Sequence, residues 1–192
     1  MTVNHDSIAA TATSASSIVR QVLLVIAGTA LLTLSAKVSV PFFPVPMTFQ
    51  SLVVLLIGAA FGPRLAAMTL AAYLAEGAAG LPVFAGTPEK GVGFAYMVGP
   101  TGGFLAGFLL AAVLVGWLVL LGFGRRVLSA GLVMLAGTVA IYVPGLLWLG
   151  SVVGWDKPVL EWGLYPFVYG DLLKVAIASL AVPFLAARFM RS

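Results

Sequence analysis

Residues 91–124 read GVGFAYMVGPTGGFLAGFLLAAVLVGWLVLLGFG and contain no charged side chain. As one α-helix this stretch would extend about 50 Å, whereas the hydrocarbon core of a bilayer is about 30 Å thick. Part of it must therefore be loop. We predict a membrane-spanning helix over about Thr101–Leu121, preceded by a glycine-rich connection.

The composition of the whole chain agrees with a membrane protein. Only 8% of the 192 residues are charged and 61% are apolar, whereas soluble domains average about 25% charged and about 45–50% apolar. A soluble globular enzyme is excluded, and no separate soluble domain fits beside the spans. The absence of cysteine excludes disulfides and thiolate metal sites.

Apolar stretches long enough to span a bilayer, with proline and glycine as helix breaks, predict an all-α bundle of six transmembrane helices in residues 18–192. Pro41, Pro44 and Pro46 forbid a continuous helix across residues 38–63. The predicted spans are Ile18–Ala36, about Met47 to Gly62-Pro63, Leu65–Glu76, Thr101–Leu121, Val127–Leu149 and Tyr165–Arg188. Gly99, Gly103, Gly107 and Ala111 recur every four residues, and we favour packing inside the bundle over a dimer interface for this stripe.

Residues 1–17, rich in Ser, Thr and Ala, are expected to form a mobile cytoplasmic tail. A signal peptide is an alternative for Ile18–Ala36, but a retained first helix is favoured because more spans follow. With the N-terminus inside, six arginines fall on the inner side: Arg20, Arg64, Arg125, Arg126, Arg188 and Arg191. Three lysines fall outside: Lys37, Lys90 and Lys157. The positive-inside rule therefore places both termini in the cytoplasm and the chain in the cell membrane.

Three ionisable side chains remain within the predicted spans: Glu76, Asp171 and Lys174. Each needs a partner, a water-filled cavity or a ligand, because an isolated charge is costly in the bilayer. A self-neutralising pair of Asp171 and Lys174, three residues apart on one helix, is one explanation. The predicted spans place four more polar side chains at the same depth in the membrane as this pair: Lys37, Thr48, Gln50 and Tyr142. We therefore prefer a polar cavity that opens outward.

The connection between the third and fourth spans, residues 77–104, holds eight of the 22 glycines. We expect it to form a lid or pocket wall, since it also carries Leu81, Phe84 and Tyr96. The sequence has no nucleotide-binding, dinucleotide-binding or zinc-protease motif, so we predict no catalytic residues, cofactor or metal. The basic sequence pI near 9.7 reflects topology signals rather than nucleic-acid binding.

Four ordered motifs resemble the BioY family, the biotin-specific substrate-binding subunits of energy-coupling-factor (ECF) transporters. They are SAKVSVPFFPVPMTFQ (35–50), YLAEGAAGLPVFAG (73–86), VGPTGGFLAGF (98–108) and YGDLLK (169–174). The resemblance implies a six-helix membrane protein that captures biotin from the outer side. It also implies as partners a transmembrane coupling protein and a cytoplasmic ATPase pair, and it points to Asp171 and Lys174 as site residues.

The chemistry of biotin can be matched to the remaining candidates. Asp171 can accept hydrogen bonds from the ureido N–H groups, and Gln50 can supply both a donor and an acceptor. Lys174, or alternatively Lys37, can neutralise the carboxylate. The other predicted binding residues are Thr48, Phe43, Tyr73, Phe84 and Tyr142, with Glu76 either in the site or ordering the glycine-rich loop.

One feature departs from the resemblance. Substrate subunits of this class often dock through an AxxxA pair on the first helix, whereas this helix has Ala27 and Ala30 three residues apart. Docking through a smooth Ala27/Ala30 face, different docking and a solitary biotin transporter all stay open. An intramembrane enzyme or an assembly protein is a more remote alternative.

Overall fold

Long apolar stretches with few charged residues form the main helices of this chain. The computed structural model describes the backbone of residues 5–40 and 43–189 and the side chains of residues 17–39 and 43–184. Within these ranges seven helices form: α1 (His5–Lys37), α2 (Gln50–Ala78), α3 (Phe94–Met97), α4 (Gly102–Leu120), α5 (Val127–Val153), α6 (Val159–Gly163) and α7 (Val168–Phe189). A two-residue antiparallel ribbon pairs β1 (Ser39–Val40) with β2 (Met47–Thr48).

Four helices in the described part of the chain are long and apolar enough to cross a membrane. They are Ser17–Lys37, Gln50–Ala78, Gly102–Leu120 and Val127–Val153. This confirms the prediction of an all-α, multi-pass membrane protein. The predicted number of six spans is larger than this count, and the difference arises at α2 and α7.

Helix α2 is a hairpin of two antiparallel arms. Gly62 has φ +72°, a conformation open to glycine but outside the helical region, and Pro63 begins the second arm. Gln50 and Tyr73 would lie about 34 Å apart on a straight helix, yet Gln50 Nε2 donates to Tyr73 Oη over 2.7 Å. The two arms correspond to the predicted second and third spans, which the break at Gly62-Pro63 separates.

Glycine allows α4 to pack closely against both of its neighbours. A Cβ atom on Gly107 would lie 2.6 Å from the Ile141 carbonyl oxygen of α5, and one on Gly58 of α2 would lie 2.6 Å from the Ala112 carbonyl oxygen of α4. Such contacts leave no room for a side chain. The small-residue stripe on α4 therefore packs inside the bundle, as predicted.

Several helix boundaries differ from the predicted ones. Helix α1 begins at His5, not near Ile18, because alanine in this segment favours helix. Its side chains before Ser17, and residues 1–4, lie outside the described residues, so the mobile tail stays a prediction. Further along α1, Ala27 and Ala30 are exposed, while Gly28 packs against Thr69. The loop predicted between α5 and α7 contains the short helix α6.

Candidate functional site

Polar side chains from three helices meet at one cavity between the start of α2, the middle of α5 and the first turn of α7. The cavity is small, with a free volume of about 70 Å³, and it opens to the exterior. Its walls are formed by Val45, Pro46, Thr48, Gln50, Ser51, Ala85, Tyr96, Thr101, Phe104, Leu105, Phe108, Ile141, Tyr142, Phe167, Asp171 and Lys174.

The centre of the polar wall is an ion pair on α7. Lys174 Nζ lies 2.9 Å from Asp171 Oδ1, and the two side chains are only 9% and 13% exposed. Lys174 Nζ also donates to the Thr48 carbonyl oxygen over 2.7 Å and to Ser51 Oγ over 3.0 Å. All three ammonium hydrogens of Lys174 thus have acceptors within the protein.

Asp171 collects donors from three helices. Its Oδ1 accepts from Lys174 and, over 3.2 Å, from Ser51 Oγ of α2. Its Oδ2 accepts from the Tyr142 hydroxyl of α5. These contacts fix the carboxylate in one orientation, and a carboxylate with about four acceptor positions keeps capacity for a further donor. The arrangement can recognise a neutral group that carries N–H or O–H donors.

The rest of the lining is mostly apolar and includes aromatic rings. Phe104 and Phe108 lie on one face of α4, four residues apart, and both are buried. The Phe104 ring meets the Tyr142 ring edge-on with centroids 6.1 Å apart. A ligand with one hydrogen-bonding end and an apolar ring system would find a partner for each part.

A second layer of hydrogen bonds supports the wall from behind. Gln50, which lines the cavity, donates to the hydroxyl of the fully buried Tyr73, and this hydroxyl donates to the Val83 carbonyl oxygen over 2.9 Å. Phe84 stacks on Tyr96 at 5.0 Å and meets Tyr73 edge-on at 5.4 Å. Burial raises the pKa of Tyr96 above its ordinary value, and the Tyr96 hydroxyl donates to the Ala85 carbonyl oxygen over 2.8 Å.

Comparison with known proteins identifies the family. The family model described as the BioY family matches residues 5–191. This chain belongs to the BioY family. It is 38% identical over 160 residues to a probable biotin transporter BioY of Pyrococcus horikoshii, covering 83% of this chain and 91% of the relative. It is also 38% identical over 156 residues to the biotin transporter BioY of Thermotoga maritima, covering 79% and 87%.

The fold also matches a solved structure. The crystal structure at 2.1 Å of the S-component for biotin from an ECF-type ABC transporter superposes with a TM-score of 0.74 at 24% identity, covering 92% of this chain and 94% of that one. At 24% identity, this match shows that the two proteins share a fold. The relatives within the BioY family are named as transporters, not as enzymes.

Half of the predicted site residues in this BioY-family chain line the cavity. These are Thr48, Gln50, Tyr142, Asp171 and Lys174. Tyr73 and Phe84 lie in the layer behind the wall, where they contact each other.

Three predicted residues lie apart from the cavity walls. Lys37 donates to the Phe84 and Thr87 carbonyl oxygens. Glu76 is half-buried near the end of α2, and Phe43 is 83% exposed. Lys37 was the alternative to Lys174 as the cation for the ligand carboxylate. Its ammonium group is instead bound to backbone carbonyl oxygens.

Several wall residues were not predicted. Ser51 bridges Asp171 and Lys174, and only its position next to Gln50 could have suggested it. Phe104 and Phe108 lie in the motif VGPTGGFLAGF, but a membrane helix carries apolar side chains on every face, so sequence alone does not mark the two that face a cavity. Among the described residues, no group of three or more His, Cys, Asp or Glu side chains could hold a metal ion.

Proposed function

We propose that this chain is a membrane subunit that binds biotin in the cavity beside Asp171 and delivers it for import. The observation that carries the proposal is the buried Asp171–Lys174 pair, which lines a cavity together with aromatic side chains. Membership of a family whose relatives are named biotin transporters supports biotin as the ligand.

The polar and apolar parts of the lining suit the two parts of the biotin bicycle. Its ureido ring offers two N–H donors and one carbonyl acceptor, and in this proposal Asp171 accepts from the ring while Gln50 supplies a donor and an acceptor. The apolar thiophane ring packs against Phe104 and Phe108. Tyr142 and Ser51 hold the carboxylate of Asp171 in the orientation that accepts the ligand.

In this proposal, the main role of Lys174 is to compensate the charge of Asp171 rather than to bind the ligand. Its three hydrogens are donated to Thr48, Ser51 and Asp171, so a ligand carboxylate would have to displace one of them. The ammonium compensates the buried carboxylate, which would otherwise be strongly disfavoured. Direct pairing of Lys174 with the valerate carboxylate is the alternative, and a biotin amide that lacks the charge distinguishes the two.

We further propose that six helical segments cross the membrane, with both termini in the cytoplasm and the cavity open to the outer side. The arms of α2 provide two crossings and α7 provides the last. The distribution of arginine and lysine supports this orientation. The partners are a transmembrane coupling protein and an ATPase pair, and the exposed face of α1 around Ala27 and Ala30 is the proposed docking surface.

Equilibrium binding and uptake test different parts of this function. Purified Asp171→Ala and Lys174→Ala variants should each bind biotin at least about tenfold more weakly than the unmodified protein, and equal affinity would contradict the proposed site. Cells that lack every coupling protein should show no concentrative biotin uptake when they produce this chain. Uptake in such cells would instead support a solitary transporter. If the purified protein bound neither biotin nor its analogues, the remote alternative of an enzyme or assembly protein would be favoured.

A further inference from the structure

Part of the cavity wall is a loop segment held in place from three sides. The wall segment, Val83–Thr87, follows α2, and its Ala85 lines the cavity. Tyr73 of α2 donates to the Val83 carbonyl oxygen over 2.9 Å, and Tyr96 of α3 donates to the Ala85 carbonyl oxygen over 2.8 Å. The third anchor comes from α1.

This third anchor is Lys37, the last residue of α1. Its Nζ donates to the Phe84 carbonyl oxygen over 3.1 Å, to the Thr87 carbonyl oxygen over 3.0 Å and to Thr87 Oγ1 over 3.1 Å. An ammonium has three hydrogens, and each one here has an acceptor on the wall segment. Although Lys37 as a residue is exposed, its charged end is committed to the loop.

Helix α1 lies at the edge of the bundle and packs mainly against α2. In the most apolar 18-residue stretch of α1, 17% is buried inside the protein, against 50% in that of α4. A helix with so few buried contacts can shift against the bundle more easily than one at its centre. The Lys37 ammonium connects the end of this helix to the wall of the cavity through charge-assisted hydrogen bonds, which are stronger than neutral ones.

We propose that Lys37 is a positioning residue that latches the wall segment closed and so slows the escape of biotin. The inference rests on the proposed function, since it concerns the same cavity. It assigns Lys37 no contact with the ligand. Displacement of the outer end of α1 would pull or release the wall segment, which couples the position of α1 to the opening of the cavity.

The test compares Lys37→Met with the unmodified protein in biotin dissociation kinetics. The latch predicts a dissociation rate about tenfold higher, with the same factor for biotin and for an uncharged biotin amide. Lys37→Arg keeps a cationic donor and should restore most of the slow dissociation. Thr87→Val, which removes one acceptor at the other end of the latch, should give a smaller increase in the same direction.

Lys90→Met is the control, because it removes one lysine charge close to the wall segment and leaves the hydrogen bonds from Tyr73, Tyr96 and Lys37 to that segment in place. It should leave the dissociation rate unchanged. An effect of Lys37→Met on biotin but not on the amide would overturn the latch and make Lys37 a carboxylate contact. Unchanged dissociation of both ligands, or an equal effect of Lys90→Met, would overturn it as well.

Hydrogen exchange of residues 79–93 in the ligand-free protein separates this inference from the proposed function. Lys37→Met should speed exchange in this peptide, and Lys90→Met should not. If the unmodified protein bound no biotin, the proposed function would fail while the exchange measurement still tested the latch. Unchanged exchange in Lys37→Met would refute the latch whatever the ligand.

Discussion

Two lysine–aspartate pairs in this molecule have almost the same charge separation and opposite surroundings. Lys174 and Asp171 lie 2.9 Å apart in the cavity wall with side chains 9% and 13% exposed. Lys157 and Asp156 lie 3.0 Å apart in the loop before α6 with side chains 50% and 72% exposed. The distance alone thus says little about what a pair contributes.

The difference lies in what each pair requires from the rest of the protein. Water solvates the exposed pair, and such pairs contribute about 0–1 kcal/mol. The buried pair needs Thr48, Ser51 and Tyr142 to satisfy its remaining donors and acceptors. A chain with only 8% charged residues that builds such a surrounding beside a cavity is expected to use it for a ligand.

The largest effect is expected when the buried pair is broken. Lys174→Met leaves the Asp171 carboxylate buried without its counter-charge, which should lower the free energy of unfolding by about 3 kcal/mol. Thermal unfolding in detergent measures the loss. The matched variant Lys157→Met should change the midpoint little. Equal shifts of the unfolding midpoint in the two variants would show that burial does not determine how much each ion pair contributes to stability.

A smaller effect is expected when Asp171 loses one donor. Tyr142→Phe removes the hydroxyl that donates to Asp171 Oδ2 and keeps the ring against Phe104. Without this donor the Asp171 carboxylate is oriented less firmly for the ligand, so we expect biotin to bind about tenfold more weakly, a loss of about 1.4 kcal/mol of binding free energy. Equilibrium titration measures the affinity. Tyr165→Phe, on the exposed loop near Lys157, is the control and should bind as the unmodified protein does.

The smallest effect is expected at the bridging serine. Ser51→Ala removes a hydroxyl shared by Lys174 and Asp171, but both keep other partners. We therefore expect the Asp171 carboxylate to keep most of its orientation and biotin binding to weaken only about threefold, a loss of about 0.7 kcal/mol. Ser151→Ala, on the exposed end of α5, should have no effect. If Ser51→Ala weakened binding more than Tyr142→Phe, the assignment of the tyrosine as the main orienting donor would be wrong.

Scarcity of charge made part of this arrangement predictable from sequence. Ionisable side chains inside apolar spans are few, so Asp171 and Lys174 stood out, and their spacing placed them on one face of a helix. The Gly62-Pro63 break likewise predicted the two arms of α2. Both inferences depend on local rules that a single sequence displays.

Other features depend on contacts that the sequence does not display. Lys37 donates to atoms 47 and 50 residues away, and two of its three acceptors are backbone carbonyls, which every residue possesses. Ser51 and Phe104 belong to residue types that are common on all faces of membrane helices. Only the packing of α2, α4 and α7 shows that they line the same cavity as Asp171.

Thermal stability in the presence of biotin tests the central claim, that this cavity is a biotin site, most directly. At a biotin concentration of about 100 times Kd, binding should add about 2.7 kcal/mol to the free energy of unfolding of the purified protein. Asp156→Ala should keep this stabilisation and Asp171→Ala should lose most of it, while vitamins unrelated to biotin should have no effect. An unfolding midpoint that biotin leaves unchanged, or one that it raises equally in both variants, would contradict the account.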